Sequence, residues 1–148
     1  GTRIRKVNEG QYDCIILATA GLKRLKIKNN YKKIDIRNIV PSAGQGVIAL
    51  VIRKNKMIEK FIKELNHSRT FIESDCERLF LKSLDGSCKT PIGAIAKLIK
   101  KEKKDYLFFR YMASSFDGKR IIKGNTFFKL SRYKKMSLDL GKKIKKLI

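Results

Sequence analysis

Three runs, PIGAIAKLI (residues 91–99), DYLFFRYMAS (105–114) and KRIIKGNTFF (119–128), decide how this chain folds. Each is rich in β-branched and aromatic residues, the side chains that suit a pleated, half-buried surface. The connectors are short and turn-like: KKEKKD joins the first pair and SSFDGK the second. A parallel return needs a crossover of about a dozen residues or more, so connectors this short imply antiparallel neighbours. The sequence therefore predicts a three-stranded antiparallel meander.

Helices flank the meander. Upstream, Met57, Ile58, Phe61, Ile62 and Leu65 recur at helical spacing, with Asn55 placed as N-cap. Thr70 and Glu73 have capping-box spacing and open a second helix, whose apolar side is Ile72, Cys76, Leu79, Phe80 and Leu84. Cys76 lies on that stripe and reads as packing, because free cysteines are commonly buried. Downstream, over about 131–147, Tyr133, Met136, Leu140, Ile144 and Leu147 share one face of a last helix. Residues 55–148 then make a small α+β domain, a three-stranded antiparallel sheet with helices on one face.

Residues 1–54 read differently. RIRKVNEG (3–10) looks like the end of a short helix stopped at Gly10. Two apolar runs follow, Cys14–Ala18 and Val47–Ile52, with the short basic helix AGLKRLKI after the first. Short continuous apolar runs beside glycines read as strands buried on both faces, as in a parallel sheet. The expectation is an α/β segment over 1–54, with Cys14 in its core. A helix-like pattern is under way by residue 4, so the chain is expected to be a piece of something longer.

Charge narrows the partners. The 148 residues carry 36 Lys+Arg against 13 Asp+Glu, a formal charge of +23. Such an excess suits nucleic acid, an anionic membrane surface or a polyanionic small molecule. Drift toward lysine under A/T-rich coding explains it equally well. Hydrophobic residues make up 43%, enough for a core. No apolar run has the length of a membrane span, and the first residues lack the apolar stretch of a secretory signal. Three cysteines in no CxxC pair and one histidine, His67, give no zinc constellation, so no metal is expected. Unpaired cysteines suit a reducing, intracellular compartment.

Three features could carry chemistry. In LDGSCKTPIGA (84–94), Cys88 sits on a loop beside Lys89, where positive charge favours thiolate. It reads either as a nucleophile or covalent attachment point, or as an incidental surface thiol. In SAGQGV (42–47), the glycines either let backbone N–H groups approach a ligand or let two segments pass closely. No Lys-Ser/Thr follows, so a P-loop is not supported. Arg3 opens the first helix and Arg24 follows the first apolar run. Each is a candidate for bidentate carboxylate or phosphate binding, or else a solvated surface charge.

In order along the chain, GTRIRKVNEGQYDCIILATAGLKRL, PSAGQGVIAL and LNHSRT…CERLFLKSLDGSCKTPIGAIA resemble the second half of porphobilinogen deaminase, also called hydroxymethylbilane synthase. The resemblance is dense to residue 96 and thinner after about 105. It implies the tail of a periplasmic-binding-protein-like α/β second domain (1–54) and an α+β cofactor-attachment domain (55–148). It implies a covalent dipyrromethane cofactor held as a thioether by Cys88. It also implies that Arg3 and Arg24 hold cofactor and substrate carboxylates, and that Ala18, Gln45 and Gly46 line the cofactor pocket. The family condenses four porphobilinogens into hydroxymethylbilane with loss of ammonia, so porphobilinogen and polypyrrole intermediates are the expected ligands.

Ser87, Lys89 and Thr90 depart from the family's usual loop but leave the thiol in place. The family's catalytic aspartate belongs to its first domain and has no counterpart here. No catalytic residue is therefore assigned, and the chain is expected to be inactive without the N-terminal domain. The resemblance also implies a monomer when full length and a cytoplasmic home, with a plastid or other organelle left open. The alternative function is a basic nucleic-acid-binding module.

Overall fold

The computed structural model describes residues 1–27, 31–86, 91–102 and 104–148. The chain divides into two units, Gly1–Ile34 and Asp35–Ile148.

The first unit holds two short helices, α1 (Thr2–Asn8) and α2 (Thr19–Arg24). Both end in the same way. After α1, the Gly10 and Gln11 N–H groups return to the Val7 and Lys6 carbonyls, with Gly10 at φ +72°. After α2, Lys26 and Ile27 return to Lys23 and Leu22, with Lys26 at φ +53°. Paired 5→2 and 6→1 bonds around a left-handed residue satisfy the last helical carbonyls. The stop read at Gly10 is this motif.

The apolar run Cys14–Ala18 forms no strand, which corrects the sequence reading. Its backbone is irregular, Cys14 is exposed and Ile16 is 70% exposed. The second run, Val47–Ile52 in the other unit, behaves likewise, with Ile48 89% and Val51 94% exposed. A strand exists only when a neighbour takes its N–H and C=O groups. Among the described residues neither run has one.

The second unit contains α3 (Lys56–Leu65), α4 (Ser68–Ser83), β1 (Ile92–Lys101), β2 (Lys104–Ser114), β3 (Ile121–Lys129) and α5 (Tyr133–Lys145). A 3₁₀ turn, Leu130–Arg132, leads into α5. The sheet is the expected antiparallel meander in the order β1-β2-β3, with Ala96, Phe109 and Thr126 in line across it. Helices α4 and α5 supply its apolar cover. Phe80 of α4 is fully buried, its ring 5.2 Å from Phe109 at 67°. Leu107, Phe128 and Ile144 complete the same cluster.

Helix α3 starts where Asn55 accepts the Met57 and Ile58 N–H groups, as its sequence requires. Its apolar stripe is bare, and no residue of α3 is buried. Helix α4 begins earlier than the capping-box spacing suggested. His67 is the N-cap, its Nδ1 accepting from the Thr70 N–H. Thr70 is therefore inside the first turn, which frees Glu73 for another use.

Two glycines set how closely the layers approach. A Cβ on Gly141 of α5 would lie 1.7 Å from Ser83 Oγ and 3.0 Å from the Phe80 carbonyl oxygen of α4. A Cβ on Gly93 of β1 would lie 2.4 Å from the Val40 carbonyl oxygen. Beside the first contact, the buried Ser137 hydroxyl donates to the Cys76 carbonyl at 2.7 Å, tying α5 to α4.

Candidate functional site: the glycine-rich bend and the edge of β1

Residues 42–47 form two successive turns. Gln45 N–H donates to the Ser42 carbonyl at 3.0 Å, and Val47 N–H to the Gly44 carbonyl at 3.1 Å. Gly44 and Gly46 adopt φ +73° and +82°, the left-handed region where a Cβ is costly. The bend lies against β1 and α4. Pro41 accepts the Ala94 N–H at 2.9 Å, and Gly44 N–H donates to Glu77 Oε2 at 2.7 Å. Of the two readings the glycines allowed, close passage of segments is visible here. Gln45 and Gly46 remain exposed at the bend's tip.

β1 is an edge strand, and its outward N–H groups at 94, 96 and 98 all have acceptors. Pro41 takes the first, Glu77 Oε1 the second at 2.8 Å and Glu73 Oε1 the third at 2.8 Å. Arg69 pairs with Glu73 at 3.1 Å and donates to the Leu98 carbonyl at 2.7 Å. Lys97 stands 3.6 Å from the other Glu73 oxygen. These edge N–H groups are thus taken by one backbone carbonyl and two carboxylates of α4 rather than by another strand.

The two carboxylates differ in charge state preference. Burial pushes Glu77 up, outweighing the N–H bonds from Ala96 and Gly44 and the nearby Lys97. For Glu73 burial also acts upward, but the Leu98 N–H, Arg69 and Lys97 together hold it below the ordinary glutamate value. Bend, α4 and β1 border a solvent-open pocket of about 240 Å³, whose polar lining includes Gln45, Thr70, Ser74, Glu77 and Lys97.

Sequence reasoning gave Glu73 a helix-capping role and passed over Glu77, whereas both accept from the edge of β1. The available signal was two acids four residues apart, interleaved with the apolar stripe of α4 instead of lying opposite it. On the sheet-facing side of a helix, such acids need partners, and an edge strand offers N–H groups.

The residues singled out from the sequence fall in both units. Arg3 lies on α1 and Arg24 ends α2, both exposed. Among the described residues neither pairs with a carboxylate of the chain. Ala18 is the exposed N-cap of α2. Gln45 and Gly46 belong to the second unit. Cys88, with Ser87, Lys89 and Thr90, lies outside the described residues. The approach to that loop is visible. Helix α4 ends with Asp85 and Gly86 N–H groups returning to Lys82 and Leu81, with Asp85 at φ +51°. Asp85 also pairs with Lys145 of α5. Gly86 serves closeness, since a Cβ there would lie 2.5 Å from a Leu81 methyl and 2.8 Å from an Ile92 methyl. No cluster of three metal-ligating side chains occurs among the described residues.

Residues 1–60 match the family model described as porphobilinogen deaminase, dipyromethane cofactor binding domain. Residues 71–148 match the model of the porphobilinogen deaminase C-terminal domain. The chain belongs to the porphobilinogen deaminase family. A porphobilinogen deaminase of Buchnera aphidicola is 40% identical over 147 residues, covering 98% of this chain and 46% of the relative. A probable porphobilinogen deaminase of Methanocaldococcus jannaschii is 37% identical, covering 97% of this chain and 48% of its own length. The chloroplastic porphobilinogen deaminase of Pisum sativum is 40% identical over 124 residues, covering 82% of this chain and 32% of the relative. The chain thus spans about half the length of its bacterial and archaeal relatives or less. The alternative of a nucleic-acid-binding module gains no support from these matches. Among the described residues no helix is long and apolar enough to cross a membrane.

Proposed function

We propose that this chain supplies the C-terminal half of a porphobilinogen deaminase, condensing four porphobilinogens into hydroxymethylbilane with release of ammonia. One observation carries the reading: the two family models match in order along the chain, and the second includes Cys88. Cys88 anchors the dipyrromethane through a thioether. Arg3 and Arg24 bind its carboxylates, and Ala18, Gln45 and Gly46 line the pocket. Each pyrrole ring brings an acetate and a propionate, so the growing product is a polyanion. Two guanidinium groups with no carboxylate partner among the described residues, and a net charge of +23, suit it.

In this reading residues 1–54 complete a periplasmic-binding-like second domain, and residues 55–148 form the cofactor-attachment domain. The runs 14–18 and 47–52 gain strand neighbours from the N-terminal half that the relatives possess. That half also brings the catalytic acid, so the chain does not turn over alone. The assembled enzyme is a cytoplasmic monomer acting on porphobilinogen and polypyrrole intermediates.

The test mixes the chain with the N-terminal half of the Buchnera relative and porphobilinogen. Ammonia release, tetrapyrrole formation and the intact mass of this chain are then followed. A two-pyrrole adduct is expected on the wild type and not on Cys88→Ser. An adduct on the serine variant refutes the anchor. A complex of the two halves that neither loads nor turns over refutes the enzyme reading.

A further inference from the structure

We propose that Glu77 is a positioning residue, its carboxylate latching the glycine-rich bend to the free edge of β1 and so placing Gln45 and Gly46. The latch has two ends. Oε2 accepts the Gly44 N–H at 2.7 Å, and Oε1 accepts the Ala96 N–H at 2.8 Å. The two donors come from segments far apart in sequence, and each oxygen serves one of them. A glutamine offers one acceptor and turns its NH₂ toward the other donor. Glu77 is buried, so water does not readily replace a lost acceptor.

The rest of the contact explains why the latch matters at the tip. The buried Val40 lies over Gly93 and the Pro41 carbonyl accepts the Ala94 N–H, so the entry to the bend is held by packing and by backbone. Beyond Pro41, Ala43 packs against the core, and among the described residues the Gly44–Glu77 bond is the hydrogen bond between bend and α4, one residue before Gln45. Glu73, one helical turn earlier, gives an internal control, because it caps Leu98 of the same edge without touching the bend. The groups facing Glu77 are Lys97 of β1, which favours its charge, and Glu73 of α4, which opposes it. The importance of placing Gln45 and Gly46 rests on the proposed function, whereas the latch does not.

The test measures amide-exchange protection factors residue by residue by NMR on the 148-residue chain. Glu77→Gln is expected to lower protection at Gly44 roughly ten- to hundredfold, the cost of a buried donor left without an acceptor. Protection at Leu98 and Leu107 is expected to hold. Unchanged protection at Gly44 overturns the proposal. Equal loss at all three positions also overturns it, since Glu77 then serves general stability only. A second variant is the control. Glu73→Gln removes the Leu98 acceptor and is expected to lower protection at Leu98 while Gly44 holds. Loss at Gly44 in Glu73→Gln with none in Glu77→Gln overturns the latch. These readouts need neither cofactor nor turnover, so their failure is separate from failure of the enzyme reading.

Discussion

Gly141→Ala turns the packing of α5 on α4 into a question of sign. In an open helical site, replacing glycine by alanine stabilises by about 1 kcal/mol through helix propensity. Position 141 is closed. The new Cβ would meet Ser83 Oγ at 1.7 Å, Ser83 Cβ at 3.0 Å and the Phe80 carbonyl oxygen at 3.0 Å. Ser83 Oγ is itself committed to the Phe80 carbonyl at 2.7 Å, so rotating it away sacrifices that bond. Overpacking of this kind costs typically 1–3 kcal/mol, which outweighs the propensity gain or matches it at the low end. A net loss of about 1–2 kcal/mol is expected, read as a lower urea midpoint with an unchanged slope.

The second arm of the experiment is the double variant. Ser83→Ala removes the closest atom and leaves both 3.0 Å contacts, so it should recover part of the loss. A coupling of at least about 0.5 kcal/mol is expected from the double-mutant cycle. A Gly141→Ala variant with a raised midpoint, or a cost indifferent to Ser83, refutes the close approach of the two helices.

Three further outcomes follow from the same structure. Burial pushes the Cys76 thiol up to about 12, while Cys14 is exposed, so iodoacetamide on the native chain should label Cys14 and spare Cys76; labelling of both before unfolding contradicts the buried assignment. Glu73 and Glu77 should give opposite pH slopes in stability. The Glu73 contribution is lost as pH falls through its lowered value, so wild type and Glu73→Gln should converge in acid. Glu77 is raised, so its contribution is present below the ordinary glutamate value and lost as pH rises through the raised one. Wild type should therefore lose ground to Glu77→Gln on that rise, and urea midpoints across the carboxylate range check both signs. Tyr133→Phe removes the hydroxyl that donates to Asp75 Oδ2 at 2.7 Å and should cost about 1 kcal/mol. No measurable cost in urea melts would show that this bond does not hold α5 to α4.

Much of the second unit was legible because its signals are local. The lengths of KKEKKD and SSFDGK set the meander, and Asn55 caps α3 through atoms two and three residues away. Cys76 on an apolar helical stripe packs as its neighbours do. The candidate site was legible in part and by a different route. The ordered segments around Arg24, Gln45 and Cys88 carried the family, which the two matches now show. The same segments said nothing of Glu73 and Glu77, whose partners are backbone N–H groups contributed by residues 44, 96 and 98.

By itself the sequence determined the Asn55 cap, the stop at Gly10, strand periods and turn positions, because those depend on dihedral preferences and side-chain spacing within a few residues. It did not determine whether an apolar run becomes a strand. Cys14–Ala18 and Val47–Ile52 have the composition of buried strands, yet neither is one, since a strand is defined by a neighbour's hydrogen bonds. Nor did it reveal that Asp85, not Gly86, takes the left-handed turn while Gly86 makes room for Leu81 and Ile92. Those outcomes rest on contacts between distant parts of the chain, and only the tertiary structure brings the partners within reach.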